Sequence, residues 1–173
     1  MNLSVTPDIA IIAIVAADGA IGRAGDQPFH ISADFKRFRQ LTLGHPVIMG
    51  RRTFEALPKG ALPGRKNIVI TRNPEFVAEN TTVVSSINEA LAVCGKDEAS
   101  PFIIGGGEIY RQGMPYADKL YLTEVDATAD DADTFFPKVD PAEWVLTDRT
   151  DLFTDEKSGV RYRFSTYRRS DTK

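Results

Sequence analysis

Asp34 stands out because a carboxylate at its position needs a partner. It shares a helical arc with four apolar side chains, namely Ile31, Phe35, Phe38 and Leu41. A carboxylate in an apolar arc is costly unless something satisfies it, and the cations Lys36 and Arg39 fall on the opposite side of the helix. We therefore expect a ligand with parallel N–H donors, such as an amidine or a 2-aminopyrimidone edge. The alternative is that Asp34, in the first helical turn, only complements the helix dipole.

Two arginines open a predicted helix that follows a short apolar strand. Residues 47–50 end in glycine, and Arg51, Arg52 and Thr53 come next. A helix N-terminus has unpaired N–H groups and partial positive charge, and guanidinium groups are bidentate donors to phosphate. The segment therefore predicts a phosphate site, and Arg65, after the next turn, predicts a clamp for a carboxylate. The alternative is an ordinary strand-to-helix junction with solvated arginines.

Three consecutive glycines, Gly105, Gly106 and Gly107, separate another predicted strand from a helix. Glycines at such a junction let the backbone approach a ligand and aim N–H groups at a diphosphate. The dinucleotide fingerprint G-x-G-x-x-G is not present, since Tyr110 takes the place of its third glycine. A tight turn without a ligand is the alternative.

Arg72 ends a further predicted strand. Together with Arg51 and Arg52 it could surround an additional phosphate, which would favour NADPH over NADH. Each of the three, taken alone, is equally consistent with an exposed arginine.

The composition fits a single globular domain and excludes several classes. The chain has 173 residues, with 42% hydrophobic and 26% charged, and its net charge of −3 argues against a nucleic-acid binder. Cys94 is the only cysteine, which excludes an internal disulfide and suits a reducing cytoplasm. Neither the histidines and cysteine nor the acidic loop 126–133 has metal-ligand spacing, so we expect no metal. We expect no membrane contact, because the longest apolar run, residues 9–17, is too short to span a bilayer.

Strand-like runs alternate with helical patterns, which predicts an α/β fold. We predict strands at 9–17, 46–50, 67–71, 82–84, 102–104 and 120–126, helices at 32–43 (Ser32 as N-cap), 53–57, 87–94 (closed by Gly95) and 108–113, and hairpin arms at 143–153 and 160–168. The result is one domain over 9–170 with a mixed, mostly parallel sheet flanked by helices and a C-terminal antiparallel hairpin. Residues 1–8 have no basic start typical of a signal peptide, and we expect a flexible leader. No long apolar surface stripe stands out, so we expect a monomer.

Six motifs in order resemble the dihydrofolate reductase family. They are ADGAIG at 17–22, SAD at 32–34, PVIMGR at 46–51, LPGR at 62–65, IIGGGEIY at 103–110 and LYLT at 120–123. The resemblance extends from about residue 9 to about residue 168. It implies a dihydrofolate-reductase-like fold and reduction of 7,8-dihydrofolate to 5,6,7,8-tetrahydrofolate by hydride transfer from NADPH, in support of one-carbon metabolism. It also implies binding of antifolates such as methotrexate or trimethoprim.

The resemblance assigns a role to each matching residue. Asp34 matches the carboxylate that binds the pterin 2-amino group and N3, Thr123 the threonine hydrogen-bonded to it, and Arg65 the partner of the glutamate tail. The pterin and aminobenzoyl pocket is matched by Ile12, Phe35, Phe38, Leu57, Leu62 and Ile104. The cofactor positions are matched by Ala13, Ile14, Ile21, Gly22, Gly50, Arg51, Arg52, Thr53, Thr71, Arg72, Gly105, Gly106, Gly107, Glu108, Ile109 and Tyr110, with a cis bond between Gly105 and Gly106.

Loop 20–29 matches the family's mobile flap over the nicotinamide, and it departs from the family at two positions. Phe29 follows Pro28 where the family usually has tryptophan, and the polar Gln27 precedes that proline. Phenylalanine has no N–H to hold an ordered water near the pterin, so Phe29 bears on catalysis. We expect a water admitted by the flap to protonate N5 of the pterin, with Asp34 setting the electrostatics and with burial raising the pKa of Asp34.

Two alternatives stay open. One keeps the fold and changes the substrate, as in the pyrimidine reductases of riboflavin synthesis, although such a protein would have little use for Asp34 together with Arg65. The other is a nucleotide- or folate-binding module that has lost turnover through Gln27 and Phe29.

Overall fold

A nine-stranded sheet forms the centre of the computed structural model, which describes residues 8–22, 27–97 and 99–170. The strands are β1 Ala10–Ala16, β2 Ala20–Gly22, β3 Val47–Gly50, β4 Asn67–Ile70, β5 Thr81–Val84, β6 Phe102–Gly105, β7 Lys119–Val125, β8 Thr134–Phe135, β9 Trp144–Arg149, β10 Phe153–Thr154 and β11 Arg161–Arg169. The helices are α1 Ser32–Thr42, α2 Arg51–Glu55, α3 Ile87–Lys96 and α4 Gly107–Gly113, with a 3₁₀ turn at Met114–Tyr116. The expected leader lies outside the described residues except for Asp8.

The sheet order β10-β11-β7-β1-β6-β3-β4-β5 has two parts. Strands β7, β1, β6, β3, β4 and β5 pair in parallel, whereas β11 runs antiparallel to β7 and carries β9 and β10. The predicted mixed, mostly parallel sheet with an antiparallel C-terminal part is therefore confirmed. None of the described helices is long and apolar enough to cross a membrane.

Strand β1 is apolar on both faces because helices cover both sides of the sheet. Ile11 packs in a cluster with residues of α3 and α4, and Ile12 packs in a second cluster with residues of α1 and α2. Successive side chains of a strand point to opposite faces, so the two clusters lie on opposite sides of one sheet. The carboxyl ends of the parallel strands remain open between these layers, which is where such folds place their ligands.

The predicted ends of two helices are wrong. Helix α1 begins at Ser32, and its N-cap is Ile31, whose side chain is buried and whose carbonyl oxygen accepts the N–H groups of Asp34 and Phe35. Burial of Ile31 thus determines where the chain enters the helix, and the Ser32 hydroxyl makes no cap. Helix α3 continues through Gly95 to Lys96, because this glycine does not adopt a positive φ.

Other predicted boundaries shift. Helix α2 begins at Arg51 rather than at residue 53. The first hairpin arm, predicted at 143–153, divides into β9 and β10, because the Thr150 hydroxyl takes the N–H of Phe164 in place of a backbone carbonyl. A two-stranded sheet of β2 and β8 was not predicted, since strands of three and two residues carry no readable periodicity.

Two helical glycines form a matched pair that tests how helix α4 packs on strand β6: Gly113 at the end of α4, and Gly95 in α3 as the control. A Cβ on Gly113, whose φ of −83° suits any residue, would lie 2.5 Å from Cδ1 of the fully buried Ile103. We expect Gly113→Ala to lower the free energy of unfolding by about 1–3 kcal/mol because the core must shift to admit the methyl group. Gly95→Ala meets open space and should raise stability by up to about 1 kcal/mol.

Urea denaturation of both variants beside the native chain checks this expectation. A Gly113→Ala variant as stable as the native chain would contradict the packing of α4 on β6.

Candidate active site

Asp34 and Thr123 form the polar centre of the site. Helix α1 presents Asp34 to strand β7, where the Thr123 hydroxyl donates to Oδ1 of Asp34 over 2.5 Å. Thr123 is 1% exposed whereas Asp34 is half-buried, so the hydrogen bond is partly shielded from water. It occupies part of the carboxylate and leaves Oδ2 as an acceptor for a ligand.

The buried position of Asp34 changes its acidity. Burial raises the pKa of Asp34 above its ordinary value, while the hydrogen bond from Thr123 and the charge of Arg37 pull it down. The net direction is upward, as the sequence predicts for a carboxylate in an apolar arc.

An apolar cluster on the α1 face of the sheet holds most side chains assigned to the pterin pocket. Those members are Ile12, Phe38, Leu57, Leu62 and Ile104. They come from β1, α1, β6 and the segment after α2, so the fold brings distant parts of the chain together. Phe35 does not belong to this cluster: it is 48% exposed, and its ring centroid lies 6.1 Å from that of His30.

Arg65 lies at the far end of α1 and is held in place by two hydrogen bonds. Its Nε donates to the carbonyl oxygen of Pro63, and its Nη1 donates to the Thr42 hydroxyl, both over 3.0 Å. The remaining guanidinium N–H groups are available to a carboxylate. Burial, and then the charge of Arg39, lowers the pKa of Arg65, so an anion beside it would relieve repulsion between two cations.

The ends of β3 and β6 converge with the starts of α2 and α4. The bond between Gly105 and Gly106 is cis, as the resemblance implies, and the φ of Gly105 is +131°. A Cβ on either glycine would lie 3.4–3.5 Å from the Thr53 hydroxyl oxygen, and a Cβ on Gly50 would lie 3.1 Å from Ile109. Without side chains here, the backbone is open to close approach by a ligand.

Strands β2 and β8 also approach the start of α4. A Cβ on Gly22 would lie 3.0 Å from Cβ of Thr134, and one on Gly107 would collide with the Thr134 methyl group and lie 3.9 Å from Ile21. The small sheet β2–β8 therefore rests against the start of α4. The four positions Ile21, Gly22, Gly106 and Gly107, which the resemblance assigns to the cofactor, are thus brought together at this edge of the fold.

Some predicted cofactor residues have buried side chains. Ala13, Ile109 and Tyr110 lie in the core cluster on the α3 and α4 face, and Ile14 is buried on the other face of β1. The Tyr110 hydroxyl lies 2.8 Å from the carbonyl oxygens of Ile12 and Ile104, and burial raises its pKa. Residues such as Ala13 and Ile109 are therefore placed to contact a cofactor mainly through backbone atoms. Glu108 is exposed and pairs with Arg111 and Gln112.

The predicted phosphate cations follow two neighbouring strand ends. Gly50 pairs in register with Ile70, so Arg51 and Arg52 leave β3 beside the point where Thr71 and Arg72 leave β4. Arg51 forms an ion pair with Glu55 at 3.1 Å and lies 4.9 Å from the Phe76 ring. Arg52 and Arg72 are exposed, and neither forms an ion pair with another described residue.

The predicted flap is only partly described, because residues 23–26 lie outside the described residues. Phe29 is half-buried and packs with Ile14 and Ile31 beside α1. It therefore lies among the apolar residues next to Asp34.

Arg37 is a charged neighbour of Asp34 that our sequence reasoning missed. From the sequence we considered only Lys36 and Arg39 as cationic partners for Asp34, although residues three apart on a helix, such as Asp34 and Arg37, also lie on the same side. The guanidinium carbon of Arg37 lies 4.4 Å from the ring centroid of Phe164 on β11 and 5.8 Å from that of Tyr121 on β7. The i, i+3 spacing was the available signal, whereas the two aromatic partners come from distant strands.

Comparisons with known proteins agree on one family. The sequence profile of the dihydrofolate reductase family matches residues 8–169. The dihydrofolate reductase of Neisseria gonorrhoeae is 46% identical over 160 residues, which cover 92% of this chain and 96% of that protein. The dihydrofolate reductase of Bacillus subtilis is 37% identical over 164 residues, with 95% and 96% covered. A solved structure, dihydrofolate reductase from Enterococcus faecalis complexed with NADP(H) and RAB-propyl, is similar with a TM-score of 0.88 at 34% identity, covering 96% of this chain and 98% of that one.

The raised pKa of Asp34 predicts a cost in stability. A folded-state pKa above the unfolded value means that ionisation of Asp34 destabilises the fold as pH rises through that range. Asparagine keeps an oxygen acceptor for Thr123 without the charge. We expect Asp34→Asn to melt at a higher temperature than the native chain at neutral pH, with the difference shrinking as pH falls toward the ordinary aspartate value of 3.8.

Melting curves at several pH values measure this effect. Asp151→Asn, at an exposed carboxylate, is the control and should show no comparable trend. A lower melting temperature for Asp34→Asn at neutral pH would contradict the burial argument.

Proposed function

The chain belongs to the dihydrofolate reductase family, and on that premise we propose how its residues share the reduction of 7,8-dihydrofolate to tetrahydrofolate. The chain catalyses this reaction with NADPH, which supplies the hydride. The division of roles rests on one observation, the partly buried hydrogen bond that the Thr123 hydroxyl donates to Asp34.

Asp34 binds and orients the pterin. Its oxygens accept the N–H groups of the 2-amino group and N3, and this pair of parallel hydrogen bonds fixes the rotation of the ring. Thr123 holds one oxygen of the carboxylate so that the other side faces the ligand. The apolar side chains of the pocket, among them Ile12 and Phe38, cover the faces of the pterin and the aminobenzoyl group.

Arg65 pairs with a carboxylate of the glutamate tail. Its two hydrogen bonds to Pro63 and Thr42 pre-orient the guanidinium, so little side-chain entropy is lost when the tail binds.

The glycine edge and its arginines fit NADPH. Gly105 and Gly106 leave backbone room beside the Thr53 hydroxyl, where a diphosphate would be held. Exposed Arg52 and Arg72, which leave neighbouring strands, would take the additional phosphate that distinguishes NADPH from NADH. The donor set of this edge therefore suits the phosphorylated cofactor.

Protonation of N5 depends on the segment before α1. Asp34 binds the opposite side of the pterin ring, so we propose that a water supplies this proton and that Asp34 sets the field around it. Phe29 packs in the apolar cluster that includes Ile31 and Ala33, the residues just before Asp34, and it has no donor to hold such a water. Flap residues 23–26 belong to this proposal but lie outside the described residues.

We further propose that the protein binds antifolates such as methotrexate and trimethoprim at Asp34 and acts as a monomer in the cytoplasm. A diaminopyrimidine or diaminopteridine ring offers parallel N–H donors, which match the Asp34 carboxylate. Cys94 is a buried free thiol, which is typical of proteins from reducing compartments. Membership of the family removes both the pyrimidine-reductase alternative and the binding-only alternative, since the matched relatives are dihydrofolate reductases.

NADPH oxidation should require dihydrofolate, stop with methotrexate and depend on Asp34. We expect Asp34→Asn to lower turnover at neutral pH by about 100-fold, because a neutral amide binds the pterin edge poorly and cannot supply negative potential. The absorbance of NADPH at constant dihydrofolate follows the reaction. Full turnover by Asp34→Asn would contradict the role assigned to this carboxylate.

Arg65→Met should weaken binding of the tail alone. We expect the KM for dihydrofolate to rise by about 10- to 100-fold through loss of charged hydrogen bonds, with little change for a dihydropterin that lacks the glutamate tail. Lys59→Met, at an exposed cation on the same segment, serves as the control. Equal losses for both substrates would show that Arg65 acts on the fold and not on the tail.

A further inference from the structure

Arg37 places a positive charge one helical turn after Asp34. The two residues are three apart on α1, so their side chains lie on the same side of the helix. The contacts of its guanidinium carbon with the rings of Phe164, at 4.4 Å, and Tyr121, at 5.8 Å, are both within cation–π range. The charge is therefore held by two aromatic rings of the sheet and does not extend freely into solvent.

The same pair of strands that holds Arg37 also holds Thr123. Phe164 on β11 is the direct register partner of Thr123 on β7. The ring under the guanidinium thus neighbours the hydroxyl that donates to Asp34. Thr123 thus reaches the carboxylate from this pair of strands, and Arg37 lies on the same side of α1 as Asp34 and packs on the neighbouring ring.

On the face of the sheet opposite Thr123 and Phe164, a cluster of polar side chains links strands β7 and β11 by hydrogen bonds. Glu124 accepts hydrogen bonds from Arg163 at 2.9 Å, Ser165 at 2.7 Å and Tyr167 at 3.0 Å. Burial alone would raise the pKa of Glu124, but the hydrogen bonds from Ser165, Arg163 and Tyr167 lower it below its ordinary value. Glu124 therefore stays ionised, and its bonds keep β7 and β11 in register behind the site.

The Arg37 guanidinium is not neutralised by a direct contact. Its Nη1 is buried without a hydrogen-bond partner, and it forms no ion pair within the part of the chain that the structure describes. Arginine keeps its proton under all ordinary conditions, so a positive charge remains here. Burial lowers the pKa of Arg37, and the charges of Asp34, Tyr121 and Asp148 oppose that shift. A half-buried cation without an ion-pair contact costs stability, so its position one helical turn after Asp34 calls for a role.

We propose that Arg37 is a positioning residue whose charge keeps Asp34 ionised and ready to bind the pterin. This proposal rests on the role of Asp34 under the proposed function and extends it to a residue that touches neither substrate nor cofactor. The Thr123 hydroxyl on β7 fixes the position of the Asp34 carboxylate, and the positive charge of Arg37 on the same helix stabilises its ionised form.

Arg37 supplies the charge that opposes burial at this site. Burial raises the pKa of Asp34, and the Thr123 hydrogen bond and Arg37 lower it. Among the described residues, the charge of Asp34 also acts on the phenols of Tyr110 in α4 and Tyr162 in β11. Burial raises the pKa of both phenols, so they are neutral in the range where a carboxylate titrates.

Titration of Asp34 by NMR of ¹³C-labelled side-chain carboxyl groups tests the proposal directly. Asp34→Asn assigns the signal by its loss. We expect Arg37→Met to raise the titration midpoint of Asp34 by at least about half a pH unit, a threefold change in its ionisation constant. Arg37→Lys, which keeps the charge, should restore most of the difference. Lys36→Met removes an exposed cation from the other side of α1 and should leave the midpoint unchanged.

Kinetics supply a second measure. The acid limb of the kcat/KM profile for dihydrofolate reports groups of the free enzyme and should move to higher pH in Arg37→Met but not in Lys36→Met. A merely structural role of Arg37 would lower activity or melting temperature without moving this limb.

The possible failures are distinguishable. A folded Arg37→Met variant with an unshifted Asp34 midpoint overturns the proposal and leaves the proposed function intact. Full turnover by Asp34→Asn overturns the proposed function itself. If Arg37→Met does not fold, Phe164→Leu provides the test, because removal of the aromatic ring frees the Arg37 guanidinium to move away from Asp34. An unchanged titration midpoint of Asp34 in that variant also overturns the proposal.

Discussion

The hydrogen bond from Thr123 to Asp34 is the interaction on which the candidate site depends. It joins α1 to β7 across 2.5 Å, and it gives a buried carboxylate a partner before any ligand arrives. Burial alone would drive Asp34 toward its neutral form, which cannot accept two N–H groups from a pterin. The hydroxyl and the nearby Arg37 charge oppose that tendency, so the site keeps an acceptor inside an apolar pocket at some cost in stability.

The central strand β1 allows that pocket to exist. Because β1 is apolar on both faces, helices cover the sheet on both sides and close two separate clusters. On one face, α1 and α2 surround the residues that we propose bind the substrate. On the other face, the Tyr110 hydroxyl lies within hydrogen-bonding distance of the carbonyl oxygens of Ile12 and Ile104 and supports the strands. The edge that we propose for the cofactor lies where β3 and β6 end in glycine.

Much of the fold was readable from the sequence, since each of the main elements carries a local pattern. The strands of the parallel sheet are short apolar runs that end at turn residues, and the structure contains each of them with no boundary shifted by more than one residue. The errors have specific causes. Burial of Ile31 overrode the capping preference of Ser32, Gly95 continued a helix because nothing required a positive φ, and the short pairing of β2 with β8 depends on contacts far apart in the chain.

The sequence by itself determined which residue types are available for the chemistry, and their order was enough to indicate the family. An acidic residue in an apolar helical arc, glycines after a strand and arginines at strand ends are local signals, so they can be read without a structure. No local pattern shows which distant groups meet. The contact of Thr123 with Asp34, across 89 residues, was implied only by the resemblance to the family, and the contact of Phe164 with Arg37 was decided by the tertiary structure alone. Such contacts depend on strand order and register, because hydrogen bonds and cation–π interactions act only over a few ångströms in space and leave no mark on neighbouring positions in the chain.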